Sequence, residues 1–168
     1  TTVRKGPTMK VEKTFYIEAD PEKVLAAMTS PALLEEDHKS RKCLSFDLTD
    51  LNKTASEHKY QIVTTEYTRG LGGIDKDKTE KHTVVHNWNL GAKQSKWVWA
   101  SDNEVSNKAQ ISGGTGLKAK GSGTEVTMMV EVEVKIPMVG KMIAGKLKEG
   151  FEKGWPLYID RVTAWVNK

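Results

Sequence analysis

His82 and His86 stand four residues apart, the spacing at which one face of a helix holds a metal ion. Their surroundings, KHTVVHNWNL, alternate apolar and polar residues, which is the pattern of a strand. Two residues four apart on one strand face are separated by about 13 Å, so they cannot share an ion and no metal is expected. His86, between Val84 and Trp88, reads as a satisfied or half-exposed histidine; the functional alternative is a polar group that orients a bound molecule. LLEEDHK gathers Glu35, Glu36, Asp37 and His38, and neighbouring carboxylates and imidazole are the parts of an acid–base pair. On a short surface helix such residues are ordinarily solvated charges. RGLGGID and GGTG lack the helix start and Lys-Ser/Thr of a phosphate loop. No nucleophile–base order of the triad kind is present, so no catalytic residue is assigned. Trp88, Trp97 and Trp99 offer rigid aromatic area, either as core or as the wall of an apolar pocket. Met28, Met128, Met138 and Met142 are adaptable fillers that suit both uses.

The elements that must position these residues are legible from periodicity. Residues 9–18 alternate, with Met9, Val11, Phe15 and Ile17 on one face and Lys13 at its rim. Asp20, Pro21 and Glu22 supply an N-cap, a first-turn proline and a favourable charge for a helix that Ser30-Pro31 ends. ALLEEDHKS predicts a second short helix. Six strands follow between residues 41 and 136: RKCLSFDLT, EHKYQIVTTEYTR, KHTVVHNWNL, SKWVWAS, KAQISGGTGLKAK and a last one through residue 136. The last is the clearest, with Val126, Met128, Val130, Val132, Val134 and Ile136 facing inward and Pro137 ending it. Gly113 and Gly114 predict a bulge or bend, GSG at 121–123 a hairpin turn, and GLGGIDKDK at 70–78 a mobile loop.

Residues 138–166 carry a helical period, with Val139, Ile143, Leu147, Phe151, Trp155, Tyr158, Val162 and Trp165 on one broad face. On the same wheel Gly140, Gly150 and Gly154 fall on the apolar side, and Pro156 interrupts the run. Each glycine costs about 1 kcal/mol relative to Ala and an interior proline about 3. Burial of Phe151, Trp155, Tyr158 and Trp165 offsets this at roughly 1.5–3 kcal/mol each. Three readings of the glycines follow: they let the helix approach the sheet, they leave a cavity beneath it, or the helix breaks in two near Gly154–Pro156. Consecutive hairpins imply one curved antiparallel sheet, and this helix is the only element long enough to cover it.

The whole chain, 168 residues, suits one domain with a real core. Residues 1–8 read as an appendage, native or left over from expression, and 9–168 as the domain. A net charge of +4, with 26 basic and 22 acidic side chains interspersed, reads as a solvated surface and argues against nucleic-acid binding. No apolar run approaches 18 residues, so no stable membrane insertion is expected. Cys43, the lone cysteine, suits a reducing cytoplasm and reads as a small buried hydrophobe.

The order strand, two short helices, six strands and a long helix, together with VEKTFYIEADPEKVLAAMTSPALLEE, resembles the START-like superfamily (SRPBCC, helix-grip or birch-pollen-allergen-like) across residues 9–166. GTEVTMMVEVEVKIPMVGKMIAGKL is similar to an uncharacterised bacterial branch of it. The resemblance implies an α+β helix-grip fold, a seven-stranded curved sheet around the last helix, with an apolar cavity between them. It also implies binding or carriage of a small hydrophobic ligand such as a lipid, sterol or polyketide-like molecule, in a family that includes cyclases, hydrolases and co-chaperone activators; the first reading here is a binder that performs no chemistry and takes no cofactor. His86, Trp88, Trp97, Trp99, Met128, Phe151, Trp155 and Tyr158 are the expected lining, with Gly150 and Gly154 giving space. The alternatives are a cyclase- or hydrolase-like enzyme in the same cavity and a chaperone-regulating interaction module.

Overall fold

The computed structural model describes residues 8–70 and 73–168. The appendage expected at 1–8 lies outside the described residues except for Thr8, which opens the first strand. The order is β1 (Thr8–Ile17), α1 (Pro21–Met28), α2 (Pro31–Ser40), β2 (Ser45–Lys53), β3 (Glu57–Gly70), β4 (Gly73–Asn89), β5 (Gln94–Ser101), a 3-10 turn (Ser106–Lys108), β6 (Ala109–Lys120), β7 (Gly123–Val134) and α3 (Gly140–Val166). The short helices start as their sequence dictates. Asp20 accepts from the Lys23 amide at 3.0 Å and Ser30 from the Leu33 amide at 3.5 Å, each followed by a proline at the first helical position.

The strands form one antiparallel sheet in the order β1-β7-β6-β5-β4-β3-β2. Register carries single rows of side chains across its concave face. One row runs Leu48, Ile62, Val84, Trp99, Ile111, Val132, Met9; the next runs Asp50, Tyr60, His86, Trp97, Gly113, Val130, Val11. The β3–β4 hairpin is longer than the sequence suggests. Residues 73–75, expected as loop, pair with β3 beyond a register shift at Tyr67/Thr68 that takes up residues 76–78, and residues 71–72 lie outside the described residues. Ladder hydrogen bonds outweigh the low strand propensity of that polar stretch.

No bulge marks Gly113 and Gly114: β6 keeps continuous register with both neighbours. Gly113 is there for contact instead. A Cβ at that position would sit 2.4 Å from the Met129 carbonyl oxygen and 2.5 Å from the Trp97 ring, which lies across it from the paired position of β5. The hairpin predicted at 121–123 is present, with Gly121 at φ +59°.

α3 is one continuous helix with Pro156 on its exposed side, so it does not break in two. It rests on β7, β1, α1 and α2. Ala144, Trp155, Ile159 and Val162 are its buried stripe, against Val126, Val130, Val132 and Val134 of β7. At Gly140 the helix backbone closes on the end of β7, where an added Cβ would meet the Val134 carbonyl oxygen at 2.7 Å. Close approach therefore explains that glycine. Gly150 and Gly154 differ: both are exposed and a Cβ at either meets nothing within 4 Å. The space around them is open, so close approach does not explain these two.

Candidate functional site

The second concave row and α3 are joined by aromatic rings. Tyr60 of β3 stacks on His86 of β4 (centroids 4.9 Å apart, planes at 17°). His86 lies 6.4 Å from Trp97 of β5, Trp97 lies 6.1 Å from Phe151 of α3, and Phe151 lies 6.0 Å from Trp155. The path crosses from the sheet to the helix through strands that α3's backbone does not rest on. Trp88 is buried behind it and its Nε1 donates to Tyr60 Oη at 3.4 Å. His86, Trp97, Phe151 and Tyr158 are only half-buried. Yet burial holds the His86 imidazole down at about 3, helped by the nearby charges of His38 and Arg41, and burial raises the Tyr158 phenol. At neutral pH these polar groups are uncharged.

A hollow of about 460 Å³ opens beside this path, between α2 and the β2–β3 edge. Leu34, Phe46, Leu48 and Tyr60 form its apolar wall, and Thr29, Glu35, Asp47, Asp50, Lys53 and His58 its polar one. His58 Nε2 donates to Asp50 Oδ1 at 2.7 Å; the His58 side chain is 9% exposed and that of Asp50 52%. Burial pushes the Tyr60 phenol up to about 12 against the opposing effect of the Trp88 hydrogen bond. None of the residues expected to line a cavity borders this hollow; Tyr60 is what connects it to the His86–Trp97 path.

A polar cluster occupies the far end of the concave face. His82 Nδ1 lies 2.6 Å from Glu66 Oε2 and its Nε2 lies 2.9 Å from Glu80 Oε2. Ser101 and Ser106 donate to the buried Glu80 carboxylate, and Thr64 donates to Glu66. Desolvation works against an imidazolium here, but the hydrogen bonds and charges of Glu66 and Glu80 outweigh it and raise the His82 pKa. The same contact lowers that of Glu66. Trp99 meets His82 edge-on at 5.0 Å, so it belongs to this cluster and stands apart from the aromatic path.

Of the expected lining residues, then, His86, Trp97, Phe151 and Trp155 form one path, backed by Trp88. Met128 is buried on the row beside Thr115, and Tyr158 is half-buried on α3. The α2 residues expected as solvated charges are partly turned inward. Asp37 is buried and bonded to Arg41 at 2.9 Å; His38 Nδ1 pairs with the Leu34 carbonyl oxygen, and burial lowers its pKa to about 4. Their apolar neighbours Leu33 and Leu34 pull that helix face into the core. Asp50, His58, Tyr60, Glu66 and Glu80 were not expected at all. The signal for most of them was present: His58, Tyr60, Ile62, Thr64 and Glu66 alternate along β3 with one face in common.

The model of a family described as protein of unknown function, DUF2505, matches residues 12–166. The chain belongs to that family. No curated protein matches the DUF2505 chain. Solved structures do. Truncated norcoclaurine synthase from Thalictrum flavum aligns with a TM-score of 0.69 at 9% identity, covering 99% of this chain and 98% of that one. The Zhui aromatase/cyclase from Streptomyces sp. R1128 aligns at 0.61 and 9%, covering 96% and 94%. Ara h 8.0201 aligns at 0.58 and 11%, covering 95% and 98%. The likeness establishes the helix-grip fold for this DUF2505 protein. Among its described residues no helix is long and apolar enough to cross a membrane.

Proposed function

We propose that this DUF2505 protein binds a small hydrophobic molecule inside the grip, between the β2–β5 part of the concave face, α2 and α3. One observation carries the reading: the ring path from Tyr60 to Trp155 bridges sheet and helix while its middle members, His86, Trp97 and Phe151, stay only half-buried. Rings in a closed core lose that surface; rings that line a binding space keep it until a ligand covers it. The neutral imidazole of His86 and phenol of Tyr158 favour an uncharged apolar guest and can orient one polar group on it. The structural neighbours share the fold at low identity and so bear on the shape of this interior alone. Cys43 as the lone cysteine is in keeping with action in a reducing cytoplasm.

The test is titration of the native protein with the dye 1-anilinonaphthalene-8-sulfonate and with a lipid extract, followed by native mass spectrometry for a co-purified molecule. Saturable binding is expected, weakened roughly tenfold, about 1.4 kcal/mol, by Trp97→Ala or Phe151→Ala. No saturable binding of either probe to folded protein overturns the proposal.

A further inference from the structure

His58 has the properties of an acid–base residue in the wall of the hollow. Its side chain is nine-tenths buried, and its partner fixes its tautomer: a carboxylate oxygen only accepts, so the proton sits on Nε2 and the lone pair on Nδ1. Among the described residues Nδ1 has no hydrogen-bond partner. Two residues along β3, on the same face, Tyr60 accepts from Trp88 and has no acceptor for its own hydroxyl hydrogen among the described residues. The two rings are 5.0 Å apart and both line the hollow. The hollow therefore pairs a base with a hydrogen-bond donor beside the apolar side chains of Leu34, Phe46 and Leu48, while Glu35, Asp47 and Lys53 line it as well. Among the described residues its lining holds no serine or cysteine, and its one threonine hydroxyl, on Thr29, is committed to the Leu25 carbonyl oxygen. Acyl transfer through a protein nucleophile is not what these residues are arranged to do.

We propose that the hollow is a proton-transfer site for small apolar carbonyl compounds, with His58 as base, Asp50 as its positioning residue and Tyr60 as donor to the carbonyl oxygen. This rests on the reading that the interior takes hydrophobic molecules. In the step, a C–H bond adjacent to the carbonyl breaks. Its proton goes to His58 Nδ1 and its electron pair moves through the new C=C bond onto the oxygen, giving an enolate. Asp50 stabilises the imidazolium and the Tyr60 hydroxyl meets the oxygen charge. Return of a proton from Nδ1 to carbon regenerates the carbonyl compound, so no other reactant is required.

The probe is 2-tetralone, a bicyclic apolar ketone, incubated with the full chain in heavy water. Ligand-detected NMR measures binding, and loss of the α-proton signals measures exchange. Exchange at least 10²-fold faster than with an equal concentration of free imidazole is expected. His58→Gln should bring the rate down to that of imidazole or below while the ketone still binds, and Tyr60→Phe should slow it roughly tenfold or more. Asp50→Asn, at a half-exposed position less hazardous for folding, should slow exchange roughly tenfold at saturating ketone while leaving ketone binding unchanged, a split that a merely structural role does not produce. Ketone that binds without accelerated exchange, or exchange untouched by His58→Gln and Asp50→Asn, overturns the proposal and leaves the binding function standing. Neither binding nor exchange counts against both.

Discussion

The two halves of the concave face are built from the same strand geometry and end in opposite states. On β7, Val126, Val130, Val132 and Val134 are at most 1% exposed, sealed by the buried stripe of α3. On β2 to β5, Tyr60, Ile62 and Trp88 are buried but Phe46, Leu48, Trp97 and Trp99 remain half-buried, and a hollow of about 460 Å³ opens at the β2–β3 edge. α3 rests on β7 and β1, so a curved sheet necessarily carries its other strands away from the helix. Small β-branched residues fill the near side, while long aromatic rings are needed to reach across the far one. The difference teaches that one half supplies stability and the other supplies space.

Truncation tests this division most strongly. Trp155→Ala removes a buried ring at the junction and should cost about 3–5 kcal/mol, whereas Trp97→Ala on the open side should cost about 1–2. Urea unfolding followed by circular dichroism measures both, and equal costs would break the comparison. Overpacking comes next. Gly113→Ala drives a methyl group into the Met129 carbonyl and the Trp97 ring and should destabilise by about 1–3 kcal/mol by the same assay.

Two histidines on β4 sharpen the contrast through pH. His82, held between carboxylates, has a raised pKa, so its contribution is fully present below the unfolded value near 6.5 and is lost as pH rises through the folded value. His86, held neutral at about 3, works in the other direction: its contribution is present above the unfolded value and is lost as pH falls from there toward 3. Stability measured against pH should lose its alkaline decline in His82→Gln and part of its acid decline in His86→Gln. Imidazole NMR titrations showing both rings near the ordinary value would overturn this assignment. The smallest effect is expected on the outer flank of α3. Gly150→Ala and Gly154→Ala should each stabilise by up to about 1 kcal/mol, and dye titration should show binding unchanged. Lost binding would restore these glycines to the roof of the ligand space.

Much of the architecture was legible because amphipathic alternation is a local property. The inward residues of β7, the Asp20 and Ser30 caps and the long apolar stripe of α3 all follow from nearest neighbours in sequence. The aromatic path was half legible: Trp97, Phe151 and Trp155 were evident as large rings facing inward, but their mutual contact required the register of β3, β4 and β5. For Gly150 and Gly154 a helical wheel assigns a direction without saying where the covered stripe ends. The alternation along β3 showed that His58 and Glu66 share a face, but the Asp50–His58 pair and the Glu66–His82 contact each join residues of two different strands, which only strand pairing brings together.

The sequence by itself determined which residues are strand, which are helix and which side of each is apolar, because backbone sterics and hydrophobic periodicity act over a few residues. Tertiary structure alone decided where α3 comes to rest on the curved sheet. That placement seals the valines of β7 and leaves the aromatic wall open, while the register of β3 on β4 sets one histidine between two carboxylates and another in an uncharged interior. Sheet curvature and long-range register are collective properties of the whole chain, and no stretch of residues encodes them alone.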